Sequence, residues 1–221
     1  MQDRKITFNL LNVISYILGF LILGFAVVAL MRSTLGAGAW DTTTYATRAL
    51  INLKFPNYTL GMTSMTINIT IMLIVLLYRR DWHLLFILIP ILVVGSAIDF
   101  WDIVVFGDYY AEGIMTFVLF IIGGFMLPLG LSLVMLSNFP AFVFDEWMLM
   151  MMDVFKTEKL ARIRLGIELL GISLALVFGF IAGIGFGQIN IGTLLLAVAL
   201  GPIMQFYVKK FKPIYTKNNE K

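Results

Sequence analysis

Six stretches of this chain are each long and apolar enough to cross a bilayer, and landmarks in the first three return in the same order in the last three. A helix needs about 20 apolar residues to span the hydrocarbon core. The stretches read Ile6 to Met31, Tyr58 to Tyr78, Leu84 to Phe106, Ile114 to Leu136, Leu165 to Gly183 and Ile191 to Val208. Gly95-Ser96-Ala97-Ile98-Asp99-Phe100 is echoed by Gly201-Pro202-Ile203-Met204-Gln205-Phe206. Trp40-Asp41 is echoed by Phe144-Asp145 at an offset of 104 (144 − 40), and the lone polar Asn68 by Glu168. A copy with three spans is odd-numbered, so its duplicate must enter the membrane from the opposite side. The expected fold is therefore an all-α polytopic membrane protein, a single domain over 1–221. It is built from two inverted three-helix repeats, about 1–110 and 111–221, with short interrupted or interfacial helices after spans one and four. Many secondary transporters are built this way, with substrate sites near the midplane between the copies.

Composition agrees with the membrane class: 60% hydrophobic and 13% charged, against roughly 45–50% apolar and about 25% charged in soluble domains. Zero cysteines exclude disulfides, iron–sulfur sites and thiol nucleophiles, and one histidine, His83, excludes a His-rich metal site. Basic residues gather on the cytoplasmic side of short loops. Arg4, Lys5, Arg79, Arg80, Lys156, Lys159, Arg162, Arg164, Lys209, Lys210, Lys212, Lys217 and Lys221, thirteen of the 16 Lys and Arg, fall on one side of a six-span topology. Both termini are thus expected in the cytoplasm of a multi-pass cell-membrane protein. The net charge of +3 follows from that face, so no nucleic-acid partner is expected, since a basic stripe with interleaved exposed aromatics is missing. Arg32, Arg48 and Lys54 fall outside the pattern. Arg4-Lys5 and the following apolar run resemble a secretion signal, but that run exceeds the 7–15 residues of a signal core and reads as a retained span.

Between spans one and two, Gly36 and Gly38 loosen the backbone before Trp40-Asp41-Thr42-Thr43-Thr44, and Pro56 closes the segment. A short helix is expected from about Asp41 to Lys54. Its counterpart starts at Asn138-Phe139-Pro140 and runs through Phe144-Asp145-Glu146-Trp147 to Lys156. Two readings are open. Both helices lie at opposite interfaces with Trp40 and Trp147 as aromatic anchors, or both dip toward the centre as paired half-helices, presenting N–H groups and positive dipole ends to a substrate. Asp41 and Asp145 serve as caps or as ligands accordingly.

An ionisable group inside a span costs about 2.5–3.5 kcal/mol even on lenient scales. Asp99 in span three is the strongest site candidate, whereas Asp102 reads as reaching water at the outer interface. Glu168 in span five either pairs with Arg164 one turn away or takes a substrate or proton role, and Asn68 either bridges helices or binds substrate. Gln205 mirrors Asp99, which predicts the two facing each other across a central polar cavity. The candidate substrate-binding set is Trp40, Asp41, Asn68, Asp99, Asp145, Glu168 and Gln205, with no catalytic residues, cofactor or metal expected. Protease motifs such as Gly-x-Ser-x-Gly and His-Glu-x-x-His, and a phosphate-cradling Gly-Lys-Ser/Thr loop, are all missing, so an enzyme is not expected.

Leu35-Gly36-Ala37-Gly38-Ala39-Trp40-Asp41, then Thr59-Leu60-Gly61-Met62-Thr63, then Val94-Gly95-Ser96-Ala97-Ile98-Asp99 resembles the YczE/YyaS/YitT group of bacterial integral membrane proteins. The matching positions are Trp40, Asp41, Gly61, Gly95 and Asp99; the likeness is weaker at Phe139-Pro140-Ala141-Phe142. The resemblance implies a membrane location and, by the usual surmise, transport. The expected function is a secondary transporter or permease for a small polar metabolite, its partners the lipid bilayer and that substrate. The alternative is a non-transporting membrane scaffold. Oligomeric state and substrate identity are open.

Overall fold

The structure is a computed structural model describing residues 9–140, 142–157 and 159–219. Residues Ile6 to Phe8 of the first expected span, and Arg4, Lys5 and Lys221, lie outside them. The elements run α1 (Leu10–Arg32), α2 (Ala39–Asn52), α3 (Leu60–Arg79), a 3-10 turn Trp82–Ile87 continuing as α4 (Leu88–Asp99) and a π-helical segment Phe100–Phe106, then α5 (Ile114–Leu136), α6 (Val143–Val154), α7 (Leu160–Ile181) and α8 (Ile191–Asn219). Six of these units are long and apolar enough to cross a membrane. Local chemistry marks their ends. The Asn9 carboxamide accepts from the Leu11 N–H at the start of α1, the Thr59 hydroxyl accepts from the Met62 N–H at the start of α3, and Arg80 ends α3 in the left-handed region.

The centre of the fold is the crossing of α1 and α5. A Cβ on Gly19 would come within 2.7 Å of the Val134 side chain and 3.1 Å of the Gly130 carbonyl; a Cβ on Gly123 would come within 2.8 Å of Leu30 and 3.2 Å of the Ala26 carbonyl. Adding 104 to 19, 26 and 30 gives 123, 130 and 134, so the two sets of contacts are the same contact made twice. Such self-reciprocity is what a twofold relation imposes on an interface. Rising along α1 means falling along α5, so the two helices are antiparallel. Accordingly, the Tyr16 hydroxyl donates to the Pro140 carbonyl at one end (2.7 Å), and Ala29 packs with Leu119 toward the other.

Both helices end in the same turn. Ser33 Oγ donates to the Leu30 carbonyl at 2.6 Å and Ser137 Oγ to the Val134 carbonyl at 2.7 Å; the next residues, Thr34 and Asn138, both have φ 61°. From there the chain turns inward. The 23 residues of α1 or α5 measure about 34 Å at ~1.5 Å per residue, which sets Ser33 and Ser137 at opposite ends of the crossing. Yet the rings of Trp40 and Phe144 lie 4.9 Å apart. Each connection therefore runs back roughly half the helix length, ~17 Å, within the ~3.3–3.6 Å per residue that an extended chain reaches. Ala37 on the first connection is fully buried. The short helices α2 and α6 thus begin inside the bundle and not at its two faces, and Trp147 is buried instead of anchoring at an interface.

The remaining packing alternates between halves: α2 lies along α7, α6 along α3, α4 against α1, and α8 against α5. One pairing breaks the pattern. In the first half α3 and α4 close on each other, with Gly95 against Met65 and the Gly61 carbonyl, whereas Gly201, its counterpart in α8, faces open space.

Candidate functional site

The start of α2 meets the middle of α7. Trp40 lies across Gly171, its indole within 3.1–3.4 Å of where a Cβ would stand, which is why a side chain is absent there. The Thr43 hydroxyl bonds the Ala39 carbonyl in its own helix and the Gly171 carbonyl across the seam at 2.7 Å. Glu168 and the buried Ala175 stand three residues before and four after Gly171, on one helical face. That face carries Glu168 toward α2 and Asp41. Phe144 and Trp147 of α6 complete the centre, their rings 4.9 and 5.3 Å from Trp40.

Asp41 is the third residue of α2 and Asp145 the third of α6, both in first turns, as the repeat predicts. The Asp41 carboxylate reaches back to the Gly38 N–H, as the third residue of a capping box does. It is nevertheless half-buried. Burial pushes its carboxyl up to about 7, the nearby Glu168 carboxylate adds to the rise, and the Gly38 N–H opposes it. Two further polar atoms in this seam, Trp40 Nε1 and Thr47 Oγ1 one helical face along α2, are buried without a hydrogen-bond partner. Among the described residues no three His, Asp or Glu side chains are grouped to hold a metal.

Asp99 stands elsewhere. Its Oδ2 accepts from the Thr59 hydroxyl at 2.7 Å and its Oδ1 from the Gly61 N–H at 2.6 Å, so it satisfies one of the free N–H groups at the start of α3. A Cβ on Gly61 would stand 2.5 Å from the Asp99 carboxyl carbon. Thr59, Gly61, Gly95 and Asp99 are therefore one clamp joining α3 to α4. The expected pairing of Asp99 with Gln205 is not found. Asp99 faces the α3 terminus, while Gln205 is exposed on α8, which packs on α5. Asn68 also stays out of a shared cavity, donating to the Ser64 carbonyl of its own helix at 2.7 Å.

Asp102 does not reach outer water either. It is 6% exposed and paired with Arg32 at 2.7 Å, with Arg48 at 3.6 Å and the Arg32 guanidinium 4.4 Å from the centre of the Tyr110 ring. This accounts for Arg32 and Arg48, two of the three basic residues that broke the charge pattern: an acid on the same face holds them. At the other face Arg79 pairs with Glu146 at 2.7 Å and Asp153 at 3.6 Å, joining α3 to α6.

Comparison with curated proteins and with solved structures finds no match. A family profile described as a family of unknown function (DUF6198) matches residues 10–209, nearly every element of the bundle, and the chain belongs to that family.

Proposed function

We propose that this chain is a secondary transporter for a small polar metabolite, with proton coupling at Asp41 and Glu168. The observation that carries the reading is that carboxylate pair, one member from each half, close enough across the α2–α7 packing for the charge of Glu168 to act on Asp41. Acids within a membrane bundle are costly and cluster where protons or substrates pass. A carboxyl that exchanges its proton near neutrality answers to the pH difference across a cell membrane. The orphan Trp40 Nε1 and Thr47 Oγ1 beside it are donors suited to a polar ligand or water.

Two further observations support transport. The reciprocal contacts of α1 and α5 are those expected of an inverted repeat, which can exist in two related arrangements. The closed α3–α4 seam and the open Gly201 on α8 then read as the two ends of one exchange: the second half closes as the first opens. In this reading both termini face the cytoplasm of the cell membrane.

The test is a thermal-stability screen of the purified protein against small polar metabolites at pH 6 and pH 8. Transport predicts a ligand whose stabilisation depends on pH and is lost in Asp41→Asn. A protein stabilised by no metabolite at either pH, and only by another membrane protein, would support the scaffold reading instead.

A further inference from the structure

A cavity of about 250 Å³ lies where the end of α5 meets the extension of α8, lined by Met135, Leu136, Asn138, Val208, Lys212, Tyr215 and Thr216. Its walls are fixed. Asn138 turns the chain away from α5 at φ 61°, and the buried Tyr215 hydroxyl donates to Ser15 Oγ of α1. Val208, Lys212, Tyr215 and Thr216 are spaced to share one face of α8. The cavity thus has an apolar side, Met135, Leu136 and Val208, and a polar side, Asn138, Lys212 and Thr216. No acid lines it, and Lys212 makes no ion pair among the described residues.

We propose that this cavity is a binding site for the phosphate headgroup of an anionic phospholipid. A cation and two neutral hydrogen-bonding side chains, Asn138 and Thr216, suit a phosphate oxygen. The volume falls below the ~300–1,000 Å³ of pockets that enclose whole small molecules, so it admits a headgroup and leaves acyl chains outside, along the exposed Met135 and Ile214. The site lies on the basic face with Lys209 and Lys210, and basic pockets between helices at that membrane face select anionic headgroups. A free phosphate offers the same oxygen chemistry but gains nothing from the apolar side. This site is separate from the Asp41–Glu168 seam, and its failure leaves the transport reading untouched.

The experiment measures the melting temperature of the full-length protein in neutral phosphatidylcholine nanodiscs, then with a tenth of the lipid replaced by phosphatidylglycerol. The expected result is a rise of several degrees in the wild type, at least halved in Lys212→Gln and kept in Lys209→Gln/Lys210→Gln. Native mass spectrometry counts retained phosphatidylglycerol, with Met135→Trp filling the cavity; one tightly held lipid should be lost in that variant, a readout that does not depend on Lys212→Gln folding normally. Equal loss in the two lysine variants would mean diffuse surface attraction and overturn the proposal. So would a wild-type shift reproduced by millimolar inorganic phosphate, which marks a soluble-anion site, or retention of the lipid in Met135→Trp.

Discussion

Trp40 and Phe144, 104 residues apart in sequence, lie with their rings 4.9 Å apart at the centre of the bundle. The pair joins the starts of α2 and α6, one from each half of the chain. Truncating a fully buried aromatic costs ~3–5 kcal/mol, and these half-buried rings should cost somewhat less. Trp40→Ala and Phe144→Ala are each expected to destabilise strongly, and the double variant by less than their sum because they share one contact. Unfolding titrations of the four proteins in detergent measure that coupling.

Reciprocal contacts make reciprocal predictions. Gly19→Ala and Gly123→Ala each place a methyl within about 3 Å of a partner side chain and should lower stability to a similar extent, a clash of ~1–3 kcal/mol outweighing the gain in helix propensity. Gly95→Ala meets Met65 and the Gly61 carbonyl and should destabilise likewise. Gly201→Ala meets nothing within 4 Å and should be neutral or slightly stabilising. If α7 closes on α8 during transport, that same stable variant will transport poorly, which melting curves and uptake assays together reveal.

Asp41 gives stability a pH dependence whose sign is fixed. With its carboxyl raised from 3.8 to about 7, the folded protein holds a proton that the unfolded chain has already lost between those values. Stability attributable to this group is therefore full below pH 3.8, falls as pH rises through the window, and levels off above about 7. Asp41→Asn should flatten the decline in melting temperature between pH 5 and pH 8 and be the more stable protein at pH 8.

The Arg32–Asp102 pair is buried on both sides. Arg32→Ala leaves Asp102 with only the longer 3.6 Å contact to Arg48 and is expected to cost up to about 3–5 kcal/mol, whereas replacing both residues by leucine should recover much of the loss. Denaturation of the single and double variants checks the order.

The long spans and the two short helices are legible in the sequence because the bilayer sets element length and because glycine and proline punctuate the breaks. Asp41 and Asp145 fall in first turns because Gly36 and Gly38, and Pro140, supply the breaks just before them. The partnership of Asp41 with Glu168 was not legible: it depends on an indole seating on Gly171, a contact across more than a hundred residues. Asp99 misled because its echo Gln205 belongs to a helix that lacks the α7 contact corresponding to α3–α4, so the same motif serves as a clamp in one half and stands exposed in the other. Its true role had a signal in Thr59 and Gly61, which lie at the start of a helix and need an acceptor. The Arg32–Asp102 pair also had one, since two arginines that fall outside the pattern of the other basic residues called for an acid nearby.

Proton movement tests the central claim most directly. Proteoliposomes holding the purified protein and an internal pH dye are exposed to each metabolite that stabilises the protein in the thermal screen, with no imposed gradient. Proton-coupled transport through Asp41 predicts internal acidification that starts with substrate addition, with Asp41→Asn abolishing it while the variant remains folded and Asp99→Asn weakening stability but not stoichiometry. Substrate accumulation without pH change, or acidification that persists unaltered in Asp41→Asn, would contradict it.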